Sequence, residues 1–183
     1  WIWKNYCFTF DYIKRYRIAQ KARIIKITTE VDKILTSLRT KNEGEVERPF
    51  IVHRTMADPR FLDTQLEPNG RKPNSCFLGN PKTVNVGPVG IARFTTLRAW
   101  LSQWSERSNA DGIICAKRIK TPLLLLENGA DDATPPSHTQ QIFEASASSD
   151  KVMRRIKGAN HYYKDQPEQL EEAVKIVTDW ATD

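Results

Sequence analysis

The chain has 183 residues, 39% of them hydrophobic, with a formal charge of +6, which suits one polar-surfaced domain or a domain portion with an appendage. No apolar run approaches the roughly 20 residues of a membrane span, and Lys4 and Asn5 cut off Trp1-Ile2-Trp3 before any signal-peptide core could form. Cys7, Cys76 and Cys115 are odd in number and lack knuckle spacing, which argues against a disulfide framework or a cysteine-zinc site and favours a reducing, cytoplasmic setting.

The first predicted element is a basic helix, Tyr12 to Arg39. It carries Lys14, Arg15, Arg17, Lys21, Arg23, Lys26, Lys33 and Arg39 against only Glu30 and Asp32. Ile24, Ile27, Val31, Ile34 and Leu38 recur at steps of three and four, an apolar stripe that needs a covering surface. The charge therefore reads as the solvated face of a packed helix. A phosphate-backbone or anionic-partner surface is the competing reading, but no RNA-reading aromatic motif or helix-turn-helix signature accompanies it, so nucleic acid is not the expected partner.

A charged connector, Arg39 to Pro49, leads to a strand-like run, Phe50 to Thr55. Residues 57–88 are broken by Pro59, Pro68, Gly70, Pro73, Gly79, Pro81, Gly87 and Pro88, which predicts a long loop wrapped over something. An amphipathic helix is predicted next, with Ile91, Phe94, Leu97, Leu101 and Trp104 on one face and Trp100 packed in the core. The polar run Ser105 to Gly112 ends it.

The last third is the most regular. Ile119 to Leu126 predicts a strand, and its four leucines suit burial on both faces of a parallel sheet. Ser137 to Ala147 predicts a helix, and Lys151 to Ile156 a second strand. Gly158 to Tyr163 is its exit loop. A final helix starts near Pro167 beside a capping arrangement of Asp165 and Glu168, and places Leu170, Val174, Val177 and Ala181 on one face. Strand–helix–strand–helix with short joints implies parallel strands joined by a crossover, and the loops at the carboxyl ends of such strands collect ligands. Asp131 and His161 both lie just beyond those ends.

Strand, "NGADDATPP", helix, strand, "GANHYY", helix resembles the C-terminal part of the α/β-hydrolase fold over about Ile119 to Asp183. "ARFTTLRAWLSQWS" is similar, more weakly, to a subgroup of bacterial members. The resemblance implies an α/β fold, with a helical cap or lid over residues 1–87 and late parallel strands with flanking helices over residues 88–183. It places the catalytic acid at Asp131, with Asp132 the lesser candidate, and the catalytic histidine at His161. It also implies a serine nucleophile, a small-molecule acyl substrate such as an ester or thioester, and no cofactor.

The chemistry suits that pairing. A serine hydroxyl needs an imidazole to take its proton, and a carboxylate on the other ring nitrogen fixes the tautomer. No Gly-x-Ser-x-Gly occurs in the sequence, and Ser75, Ser102 and Ser137 lack the flanking small residues of a nucleophile elbow. The expectation is therefore a hydrolase portion whose nucleophile and early strands lie upstream of Trp1, inactive alone. The missing part of the core is then its first partner. With an unpaired strand edge, the chain should be marginally stable, oligomeric or aggregation-prone. The basic helix would be part of a lid whose apolar face lines a substrate pocket. A non-catalytic basic binding module and a degenerate hydrolase scaffold remain the alternatives. His53 and His138 read as structural, and three isolated histidines predict no metal site.

Overall fold

The computed structural model describes residues 8–41, 47–52, 58–61, 63–72 and 94–182. Helices and strands mix, and the sheets are small: one antiparallel pair and one parallel pair among the described residues. The predicted loop beyond residue 72, Ile91, His53, Ser75, Cys7 and Cys76 lie outside these residues. The chain divides by packing into two compact units, one built from residues 8–52 and 94–111, the other from 58–72 and 112–182. Residues 94–111, which follow the boundary drawn at 88, pack in the same unit as the long basic helix.

In the first unit, helix α1 (Phe10–Thr40) runs 31 residues, about 46 Å at 1.5 Å per residue. The Thr9 hydroxyl accepts from Tyr12 N to cap its start. The predicted apolar stripe closes a core: Val31 and Leu35 are buried with Val52, Leu97 and Trp100, flanked by Ile27, Ile34 and Leu38. That stripe therefore faces packed protein.

Strand β1 (Pro49–Ile51) pairs antiparallel with β2 (Phe94–Thr96), Pro49 opposite Thr96 and Ile51 opposite Phe94. Helix α2 (Leu97–Gln103) follows β2 directly. The helix expected from residue 91 is thus corrected: Phe94 sits in a strand and is 79% exposed, while Trp104 ends α2 and is only half-covered. The reason is local. Thr95 and Thr96 are β-branched, and the Thr96 side chain accepts from Ala99 N as an N-cap, so the helix can begin only at Leu97. Trp100 is buried as expected.

In the second unit, helix α3 (Gly112–Ala116), which has no counterpart among the predicted elements, precedes β3 (Leu123–Asn128). Helix α4 (Pro136–Ala145) connects β3 to β4 (Lys151–Ile156), and α5 (Pro167–Thr182) closes the unit. β3 and β4 are parallel, with Leu123 beside Lys151 and Asn128 beside Ile156.

The burial expected on both faces of β3 is corrected here. Leu123 to Leu126 are only partly buried, because β4 is the sole strand partner of β3 among the described residues. On α5, Ala173 and Ile176 meet the core of Ile156 and Ala159, while Leu170, Val174 and Val177 are about half exposed. The small side chain of Ala173 lets the helix lie close to the sheet, and that turns the larger aliphatics outward. No helix of the described residues is long and apolar enough to cross a membrane.

Candidate active site

Parallel pairing sets the site. Asn128 and Ile156 are register partners at the last position of β3 and β4, so both strands exit at one edge of the sheet. Three residues past Asn128 stands Asp131, and five past Ile156 stands His161.

Backbone bonds weld the two exits together. Gly129 N donates to Ile156 O at 2.8 Å, and Ala130 N donates to Ala159 O at 2.8 Å. Asn128 then bridges to the histidine loop: its Nδ2 donates to Asn160 O at 3.0 Å, and Tyr163 donates its hydroxyl to Asn128 Oδ1 at 2.6 Å.

His161 Nδ1 lies 2.9 Å from Asp131 Oδ2 and 3.1 Å from Oδ1. The same Oδ1 accepts the amides of Ala133 at 2.7 Å and Thr134 at 2.9 Å, an Asx-type turn that fixes the carboxylate in its own loop. The Asp131 side chain is 10% exposed and that of His161 33%, so the acid is sheltered while the ring reaches the surface. A carboxylate so held favours the Nδ1–H tautomer, which leaves Nε2 as the acceptor nitrogen.

The histidine loop is wound tightly. Gly158 takes φ +74°, with open space within 4 Å of where a Cβ would stand, and Tyr163 and Asp165 take φ of 54° and 57°. Non-glycine residues tolerate that region only when their surroundings hold them. Here the holding groups are Asn160, whose Oδ1 accepts Tyr162 N and Lys164 N, and Gln166, whose side chain accepts from Asn160 N at 2.7 Å and donates to Gly158 O at 2.7 Å. Asp165 thus lies in the left-handed turn before α5, and the capping arrangement expected of it gives way to the Gln166 bridge.

Other candidates sit elsewhere. The carboxylate that meets the His161 ring is that of Asp131 and not that of its neighbour Asp132. His138 is half-buried in the first turn of α4; burial and then the Arg60 guanidinium push its imidazole below its ordinary value. Burial raises the Tyr163 phenol above its usual range, with the Asn128 hydrogen bond opposing. No group of three or more His, Cys, Asp or Glu among the described residues is arranged to hold a metal ion.

The long loop predicted to wrap over something does so in residues 58–61 and 63–72, a strap that lies against the acid loop. Asn69 Nδ2 donates to Asp131 O at 2.7 Å, Gly70 N donates to Gly129 O at 2.8 Å, and Ser137 N donates to Glu67 Oε2 at 3.1 Å. Its prolines and glycine were visible as loop signals, but contacts 59 to 70 residues apart leave no periodic trace. Asn128 and Gln166 were also missed, since an amide at a strand end or in a turn is ordinary composition.

No protein-family model matches the chain, and no curated protein does. Among solved structures, part of it is similar to the monoacylglycerol lipase of Paleococcus ferrophilus, 38% identical, over 37% of this chain and 26% of that one, with a TM-score of 0.35. The chain thus spans about a quarter of that lipase's length, and a likeness so limited leaves its fold to be read from its own contacts.

Proposed function

We propose that Asp131 and His161 are the acid and histidine of a serine-hydrolase triad, within the late portion of an α/β-hydrolase core. The observation that supports this most is the pairing of His161 Nδ1 with Asp131 Oδ2 at 2.9 Å across two adjacent parallel strand exits. Asp131 orients the ring. His161 then takes the proton of an attacking hydroxyl at Nε2 and returns it to the leaving group.

The nucleophile and the oxyanion donors next to it belong to polypeptide outside these 183 residues, and the substrate is a small ester, thioester or related acyl compound. The half-exposed Leu170, Val174 and Val177 and the partly buried leucines of β3 fit a core that continues beyond this chain. The test is labelling with a fluorophosphonate probe. The 183-residue chain alone should not label. The product of the reading frame extended upstream of Trp1 should label at one serine, with labelling lost in His161→Ala. Strong serine labelling of the short chain, or His161-independent labelling of the long one, refutes the assignment.

A further inference from the structure

The acid loop, Gly129 to Ser137, is held only in part by its own Asx-type turn at Asp131. Pro135 and Pro136 have no amide protons to give, and Pro135 offers no side-chain cap to α4. Support comes from the strap. Gly70 pins the loop's first residue, Asn69 its third, and Glu67 its last, where the Glu67 carboxylate accepts Ser137 N in place of the missing cap. Arg60 Nη1 donates to Ser137 Oγ at 3.1 Å at the same end.

The middle contact is the one nearest the chemistry. Its direction is chemically fixed. Asn69 Oδ1 accepts from Arg71 N at 3.2 Å and from Arg71 Nη1 at 3.0 Å, and both of those are donors only. A flipped amide would face two donors with a third and aim its oxygen at the Asp131 carbonyl. Arg71 can impose this because it is itself held: it is 6% exposed, and its guanidinium also donates to Glu67 O and, at 2.6 Å, to Arg60 O. Burial holds its guanidinium below its ordinary value, and Glu67, Asp132, Asp63 and Asp131 oppose that only in part.

We infer that Asn69, oriented by Arg71, is a positioning residue for Asp131, fixing the acid so that its carboxylate meets His161 Nδ1. The inference rests on the triad assignment above. The Asn69 bond acts on the Asp131 backbone, and the Ala133 and Thr134 amides carry that placement to Oδ1. Releasing the carbonyl lets the turn drift, and a drift of about 0.5 Å already takes a 2.9 Å contact to the edge of hydrogen-bonding range.

The experiment uses the 183-residue chain, labelled with 15N in histidine, and reads the neutral tautomer of His161 together with hydrogen exchange at Ala133 and Thr134. The wild type should carry its proton on Nδ1. Asp131→Asn is the control for the underlying assignment: a tautomer unchanged by it would overturn the pairing itself, and the inference with it. With that control shifted, Asn69→Ala should raise the Nε2–H population and speed exchange at both amides roughly fivefold, the weight of one lost hydrogen bond. Arg71→Lys keeps the buried charge but loses the fork to Asn69, and should act in the same direction. Exchange and tautomer left at wild-type values in Asn69→Ala, with only the melting temperature lowered, would show Asn69 to be structural and overturn the inference. An unchanged tautomer in Arg71→Lys would remove Arg71 from it.

Discussion

Gly129→Ala tests whether the close junction of the two strand exits is what sets the site. A Cβ on Gly129 would lie 2.9 Å from Ile156 O, 3.1 Å from Gly158 N and 3.3 Å from Arg155 Nε. The first two neighbours are backbone, and Ile156 O already accepts Gly129 N at 2.8 Å, so no rotamer change can make room. Relief needs a shift of about half an ångström at the point where β3 and β4 are welded, and overpacking of that kind costs about 1–3 kcal/mol. In a unit of this size each kcal/mol moves the melting temperature by about 4–8 °C, so the loss should be roughly 4–24 °C. Two other glycines grade the effect. Gly158 has open space but φ +74°, so alanine there should cost about 1–2 kcal/mol through backbone strain alone. At Gly70 the new Cβ would meet Gly129 O at an ordinary 3.4 Å, and the cost should stay within about 0.5 kcal/mol. Thermal melts by circular dichroism read all three. A Gly129→Ala melt that matches Gly70→Ala would refute the reasoning.

The buried titrating groups make stability depend on pH in two opposite directions. Burial and Arg60 depress His138, so its neutral form is favoured in the fold; its contribution is complete above pH 6.5 and is lost as pH falls through the folded value. His138→Gln should therefore flatten the stability profile below pH 6.5, and an unchanged acid limb in urea titrations would contradict this. Burial raises Tyr163, so its stabilisation is complete below pH 10 and is lost as pH climbs through the folded value. Tyr163→Phe should weaken the protein by about 1 kcal/mol at neutral pH, through the lost bond to Asn128 Oδ1, yet lessen the alkaline decline. Parallel alkaline limbs for the two proteins would count against it.

The parts of the fold that sequence reveals are those governed by short-range pattern. Lys151 to Ile156 is bounded by Asp150 and by Lys157-Gly158, and the strand occupies that interval. The stripe Ile27, Val31, Ile34, Leu38 forecast a packed face on α1, and it is packed. Asp131 and His161 could be brought to one edge from sequence because parallel strands have only one carboxyl edge, and the segment between them, 30 positions apart, holds a helix and a strand. What escaped is set by tertiary packing. Which face α5 turns to the sheet was not legible: Ala173 and Ile176 meet it, while Leu170, Val174 and Val177 stand about half exposed. The helix expected from residue 91 fails on a cap chosen by Thr96. That a loop wraps over something was legible, but not what it covers, because Asn69 and Arg71 differ from other loop residues only in what they touch.

The central claim is that Asp131 and His161 work as one unit. The most direct test is a double-mutant cycle on ester hydrolysis by the product of the reading frame extended upstream of Trp1, read as kcat with a p-nitrophenyl ester. Asp131→Asn and His161→Ala should each lower kcat by roughly 10³- to 10⁵-fold, and the double substitution should cost little more than the worse single one. Losses that multiply, or a kcat that survives either substitution, would contradict the claim.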